Sequence, residues 1–316
     1  MKEKPFSCFV TGACGFIGRR LSYKLLQRGA HVTGLDTALS HPQSLDDQHF
    51  HFISGNLSEK EKEIKKHFLS AERSGNETVF HAAAISHNSA CIKDPARAVE
   101  ANVMLTEKIL EFCRKNGVKK LLFLSTGLAY GEELNRPAKE SDPVCAFNFY
   151  CSTKLAAEKL IEGYAEAFGM TGIVVRLSNA YGPGMNPDTV TGTILKQIAD
   201  RESIHVKDWM PVRDFIFAED VVEGLIRLSV SIRESGYHLF NLSTGTGSSI
   251  RTLGELASGL SGLPLQQPDI QNNRAKKPPS LILDNHRLIE KTGWEPKYSL
   301  KEGMKISVEE CRRLSD

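Results

Sequence analysis

The 316-residue chain predicts an α/β fold: a doubly wound parallel sheet with a smaller C-terminal α/β lobe. Three observations predict it. Short, almost continuously apolar runs alternate with longer amphipathic stretches. A strand, a glycine-rich turn and an amphipathic helix open the chain as "VTGACGFIGRRL". After about residue 180 the periodicity gives way to loop-rich sequence. Apolar runs without polar alternation suit strands covered on both faces. Their alternation with helices argues for βαβ units with right-handed crossovers.

Taken in order, "FSCFVTG" (6–12), "AHVTGLD" (30–36), "ETVFHAAA" (77–84), "KKLLFLST" (119–126), "TGIVVRLS" (171–178) and "YHLFNLST" (237–244) read as strands. Residues 16–28, 97–115 and 152–168 read as helices. In the last, Leu155, Leu160, Ile161, Tyr164, Ala165 and Phe168 form an apolar stripe at helical spacing. "NAYGPGMNPDTVTG" has the Gly, Pro, Asn and Thr content of a loop, and 264–280 holds four prolines. The expected division gives 1–178 plus about 213–245 to a dinucleotide-binding domain, and about 179–212 plus 246–316 to a substrate lobe.

Composition narrows the function classes. A formal charge of +2 and the lack of a long basic run argue against nucleic acid. No stretch approaches the ~20 apolar residues of a membrane span. The first lysines and apolar residues are interrupted by glycines and then Arg19 and Arg20, so they read as strand and turn rather than a signal peptide. Seven cysteines at irregular spacing, without a CxxC, argue against a disulfide framework or a zinc site. A cytoplasmic protein without a metal centre is the expectation.

Gly12, Gly15 and Gly18 space the first turn as GxxGxxG rather than the common GxGxxG. Glycines there let a pyrophosphate approach the main chain, and the helix that follows offers free N–H groups and a positive dipole end. Asp36 closes the second strand, 18 residues after Gly18. An acid there accepts from both ribose hydroxyls of NAD and repels a 2′-phosphate, which favours NAD over NADP. Arg19 and Arg20 read as helix-surface charges.

Tyr150 and Lys154 in "YCSTK" are four apart and share a helical face. For a tyrosine of ordinary pKa to act as a base near neutrality, its phenolate must gain ~3 units, or ~4 kcal/mol. An ammonium and a charged nicotinamide can each supply part of that. "LLFLSTGLAYG" (121–131) is a strand ending in the hydroxyls of Ser125 and Thr126, where a parallel sheet binds its ligands.

In these motifs the chain resembles the extended short-chain dehydrogenases/reductases of the nucleotide-sugar epimerase/dehydratase family. The resemblance runs nearly end to end, through "TGACGFIG", "GLD", "FHAAA", "STGLAYG", "YCSTK", "RLSNAYGPG", "VRDFIFAEDVVEG", "FNLSTG" and "TGWEPKYSLKEGM". It implies a Rossmann-type sheet, with Tyr150 as acid–base residue. Lys154 would bind the nicotinamide ribose and lower the tyrosine pKa. Thr126, four before Tyr130, would be the catalytic hydroxyl, with Ser125 beside the cofactor. It further implies that Phe16 and Ile17 make backbone contacts in the pyrophosphate turn, and that Ala82, Ala83 and Ala84 flank the cofactor. Asn56 and Leu57 stand where the family has Asp-Leu at the adenine, and Asn102 matches a structural asparagine. Asn179, Arg213 and Arg274 match positions at the substrate diphosphate. Asp214 and Asp220 read as structural acids, His81 as a hydrogen-bonded core histidine, and Cys91 and Cys151 as packing residues near the pocket.

Gly127-Leu128 follows Thr126 where family 4,6-dehydratases carry Asp-Glu and bifunctional epimerase-reductases a Cys. By elimination, the resemblance implies a UDP-hexose 4-epimerase working through a 4-keto sugar. A nucleotide-sugar 4-keto reductase or dehydrogenase is the alternative, and a non-catalytic NAD-sensing protein a remote one. A homodimer through the 97–115 and 152–168 helices follows from the same resemblance.

Overall fold

The computed structural model describes residues 6–69, 77–268 and 278–315. In chain order they form β1 (Ser7–Thr11), α1 (Phe16–Gln27), β2 (His31–Asp36), β3 (Phe50–Ser54), α2 (Leu57–Phe68), β4 (Thr78–His81), α3 (Asn88–Lys93), α4 (Pro95–Val99), α5 (Leu105–Lys115), β5 (Lys120–Thr126), α6 (Phe149–Phe168) and β6 (Thr171–Leu177). There follow β7 (Asn179–Tyr181), α7 (Val190–Ala199), β8 (Val212–Phe217), α8 (Ala218–Ser231), β9 (Gly236–Leu242), β10 (Gly247–Ser249), α9 (Ile250–Ser261), β11 (Ser280–Leu281), α10 (His286–Thr292) and α11 (Leu300–Ser315). None of the described helices is long and apolar enough to cross a membrane.

The first sheet is parallel, seven strands wide, in the order β3-β2-β1-β4-β5-β6-β9. The order reverses between β1 and β4, which pair from Cys8–Thr78 to Thr11–His81. That reversal is the switch point where open α/β sheets bind ligands. One face of the sheet is covered by α2, α5 and α6, whose Phe68, Phe112 and Ile161 pack with Phe9 and Phe123. Phe9 lies 5.7 Å from Phe68 and 5.9 Å from Phe112, centroid to centroid.

The chain divides into two compact units: 1–129, 145–176 and 222–240 form the first, and 130–144, 177–221 and 241–316 the second. In the second, β8 pairs with β7 and β11 in parallel and with β10 antiparallel. Its core joins Tyr181, Phe215 and Phe217 to Leu253, Met304 and Val308 from α9 and α11. Segment 213–221, expected with the dinucleotide-binding domain, belongs to this second unit. The reason is pairing: all three neighbours of β8 come from the second unit's own sequence. Residues 130–144 also depart from the expected division. Ala138 bridges Leu283, and its N–H donates to the Ile282 carbonyl at 2.8 Å.

Candidate active site

Gly12 follows β1 with φ of +70°, a left-handed angle that glycine adopts without strain. A Cβ there would lie 2.8 Å from the Ala83 backbone. A Cβ on Gly18 would lie 1.9 Å from the Gly12 carbonyl oxygen, so glycine lets α1 start directly on the turn. Gly15 is the N-cap of α1 and supplies no side-chain cap, and the first turn has no acid. The N–H groups and dipole at this helix start are left for an anion. Phe16 and Ile17 form the first turn of α1, with Ile17 buried.

Asp36 ends β2 beside this turn. Its Oδ2 accepts from the Cys14 N–H at 2.9 Å, and its Oδ1 from the Ala38 N–H at 3.0 Å. Arg20 is committed elsewhere, donating to the Phe16 carbonyl at 3.0 Å with its guanidinium 4.6 Å from the Phe16 ring. Asp36 thus stands at the strand end with both carboxylate oxygens on backbone N–H groups, while Arg20 is turned onto Phe16. Ala82, Ala83 and Ala84 lie past the end of β4, half-buried. The Ala82 N–H donates to the Thr11 carbonyl at 3.2 Å, and the Ala83 N–H to Thr11 Oγ1 at 3.3 Å. Asn56 is exposed at the N-cap of α2 with no side-chain cap bond, and Leu57 after it is buried. These residues fit NAD: a glycine cradle, an uncapped helix start and a strand-end acid gather around the switch point.

Thr126 closes β5, next but one to β1 in the sheet, and is 6% exposed. Asn148 caps α6 by accepting from the Cys151 N–H at 2.9 Å. This cap sets Tyr150 and Lys154 in the first two turns of the helix, 9% and 3% exposed. Asn102 fixes α6 from below. It exchanges two bonds with the Ile85 backbone, at 2.8 and 3.0 Å, and donates to Thr153 Oγ1 at 2.9 Å. It does so from a π-helical stretch, Glu100–Met104, a distortion often found at functional sites.

Burial, followed by the neighbouring Cys151 and Cys91, pushes the Tyr150 phenol well above its usual value. A hydrogen bond with the Thr126 side chain acts the other way. Burial pushes Lys154 down to about 7, while Glu158 and Cys91 pull it up. In the polypeptide alone burial drives both Tyr150 and Lys154 toward neutrality. The Lys154 amine sits 4.1 Å from the Phe123 ring centroid. His81 is a core histidine, bonded to Thr11 at 2.8 Å and Thr106 at 3.0 Å and pushed by burial to about 3.

Sequence reasoning missed the network behind this cluster. Ser125 Oγ donates to Glu158 Oε1. Arg176 grips the same carboxylate through Nη2 at 2.7 Å and Nε at 3.2 Å. The available signal was charge out of place: Glu158 one turn after Lys154, and Arg176 inside an apolar strand.

In the second unit, Asn179 opens β7 and is half-buried. Arg213 on β8 donates to Glu132 Oε1 at 2.6 Å and to the Val212 carbonyl at 2.9 Å, an ion pair that no spacing in the sequence announces. Asp214 accepts from Thr244 N–H at 2.9 Å, Thr244 Oγ1 at 2.7 Å and Gly245 N–H at 3.0 Å. Asp220 holds the Lys297 and Tyr298 N–H groups at 2.9 and 3.0 Å. Both are structural acids. Arg274 lies outside the described residues.

Known proteins agree with this geometry. The model of the NAD dependent epimerase/dehydratase family matches residues 8–243. A UDP-glucose 4-epimerase of Mycolicibacterium smegmatis is 31% identical, covering 97% of this chain and 98% of its own. One from Halalkalibacterium halodurans is also 31% identical, covering 93% and 92%. The crystal structure of the Thermotoga maritima UDP-glucose 4-epimerase with UDP-glucose superposes with a TM-score of 0.85 at 30% identity, covering 98% of this chain and 99% of that one. The Thermus thermophilus UDP-glucose 4-epimerase in complex with NAD gives 0.82 at 26%, over 96% and 98%. Glycine turn, strand-end acid, hydroxyl-ended β5 and end-to-end similarity agree that the chain belongs to the NAD dependent epimerase/dehydratase family.

Proposed function

We propose that this chain is an NAD-dependent UDP-hexose 4-epimerase. The carrying observation is the buried pair in which the Thr126 side chain bonds the Tyr150 phenol, with Lys154 buried one helical turn further along α6. Bound NAD supplies a reversible hydride acceptor for the carbon that bears the reacting hydroxyl. Tyr150 takes the proton of the sugar C4 hydroxyl, and later returns one to the same oxygen. Thr126 hydrogen-bonds that oxygen as charge develops on it, a kind of stabilisation worth several kcal/mol when preorganised. The resulting 4-keto sugar turns its other face before the hydrogen returns, and this inverts C4.

Gly12, Gly15, Phe16, Ile17 and Gly18 would hold the pyrophosphate, and Asp36 the adenosine ribose. Asn56 and Leu57 would flank the adenine, Ala82 to Ala84 and Ser125 the cofactor body, and Lys154 the nicotinamide ribose. Asn179, Arg213 and Arg274 would contact the substrate diphosphate, where the planar fork of an arginine suits phosphate oxygens. Arg213 would have to exchange its Glu132 partner for that diphosphate. We assign NAD binding to the first unit and part of nucleotide-sugar recognition to the second. A cytoplasmic homodimer completes the proposal.

The test needs no added cofactor. Purified protein is denatured and the supernatant assayed for NAD. Native protein is then given UDP-glucose or UDP-N-acetylglucosamine. Released NAD together with interconversion at C4 supports the reading. Stoichiometric consumption of added reduced cofactor would replace it with a 4-keto reductase.

A further inference from the structure

The Ser125–Glu158–Arg176 network is buried throughout: its members are 5%, 3% and 4% exposed. Stability does not account for it. Removing two charges from water costs several kcal/mol each, and well-packed apolar residues of similar volume commonly serve a fold as well. Its placement points to a different role. Glu158 lies one helical turn beyond Lys154 and two beyond Tyr150, on the same face of α6. Ser125 immediately precedes Thr126 on β5. One carboxylate thus touches the strand that carries the hydroxyl and shares a face with the helix that carries phenol and ammonium.

We propose that Glu158, clamped by Arg176 and Ser125, is a positioning residue: its carboxylate is the counter-charge that keeps Lys154 an ammonium ion, and its bond to Ser125 fixes the end of β5. The inference rests on the functional reading above for the role of Lys154, but not for the electrostatics.

The surroundings of Lys154 leave this task to Glu158. From β4 it faces His81, which is neutral because burial and Lys154 itself drive its pKa to about 3. From α3 it faces the Cys91 thiol, the lesser of the two groups that pull Lys154 up, and burial weakens that share by raising the thiol's own pKa. Its own helix adds Tyr150, whose phenol is held neutral. β5 adds the Phe123 ring, an attraction without net charge. Of these groups only Glu158 brings a carboxylate, and it is the leading influence opposing burial at Lys154. Arg176 carries the opposite duty. By gripping both carboxylate oxygens it holds the negative charge in place one turn from Lys154.

The experiment is an NMR titration of the Lys154 side chain in the cofactor-loaded protein carrying 13C at lysine Cε. The signal is assigned by its loss in Lys154→Arg. Glu158→Gln keeps the shape and an acceptor for Ser125 but removes the charge. Because it leaves Arg176 buried without its counter-ion, Glu158→Gln/Arg176→Gln is measured beside it, removing both charges together. Both variants are expected to lower the Lys154 midpoint by about one pH unit, a roughly tenfold loss of proton affinity. The alkaline limb of turnover should move down with it. Arg176→Gln alone, which keeps the carboxylate, should not lower the midpoint. An unchanged Lys154 midpoint in a folded double variant, with only the melting temperature altered, overturns the proposal. A shifted midpoint in a protein that turns over no nucleotide sugar leaves it standing and sinks the functional reading instead.

Discussion

Tyr150 holds the chemistry of the account. Its phenol is buried and, in the polypeptide alone, far too weak an acid to serve as a base. In the proposed reaction, proton transfer would require positive charge near the phenol, and Lys154 and the ring of the bound nicotinamide would supply it. Tyr150→Phe removes one oxygen from a site whose helix is held by Asn148 and Asn102, so fold and cofactor binding should survive. Turnover should fall by about 10²–10⁴, read in the steady-state assay alongside the NAD content of the variant. Full activity would remove Tyr150 from the mechanism. In the proposed site, Asp36 would decide between cofactors. Asp36→Ala should bring the affinities for NAD and NADP closer together, measured by titration of cofactor-stripped protein, whereas an unchanged preference would clear Asp36 of that role.

The β1–turn–α1 element is legible in the sequence because a glycine trio between an apolar strand and an amphipathic helix marks a tight β–α turn with close backbone approach. The structure adds the reason for the third glycine, which is contact rather than conformation: there is no room for a Cβ between Gly18 and the Gly12 carbonyl. Gly18→Ala should cost about 1–3 kcal/mol as an overpacked site. It should also empty the protein of NAD, both effects being read by thermal melting and by the cofactor released on denaturation. The strands 6–12, 30–36, 119–126 and 171–178 are legible nearly to their ends because they are buried and apolar. β3 is not, because "FHFIS" is a short edge strand with a histidine in it, only one of its residues being fully buried. "VRDFIF" is legible as a motif, but the unit it joins is not, since nothing in it marks which strands it pairs with. The site divides in the same way. Thr126, Tyr150 and Lys154 stand in recognisable spacing, whereas Glu158 and Arg176 become partners only when α6 lies on β6.

At the scale of the molecule, Asp214 ties the strand β8 to the loop after β9, and it makes stability depend on pH. Burial raises its pKa to about 6, against an unfolded value near 4. Between those values the folded state holds more protons than the unfolded one. This contribution therefore strengthens folding as pH falls from about 6 toward 4, by up to about 2–3 kcal/mol. Asp214→Asn should flatten that segment of the stability–pH curve in denaturant melts, and a parallel curve would assign the dependence to another group. The central claim concerns what passes through the whole molecule: hydrogen leaves C4 of the sugar and returns to the same carbon from the other face. UDP-glucose bearing deuterium at C4 tests this most directly. The account predicts UDP-galactose that keeps its deuterium at C4 with no added cofactor. Product that has lost the label to solvent would contradict it.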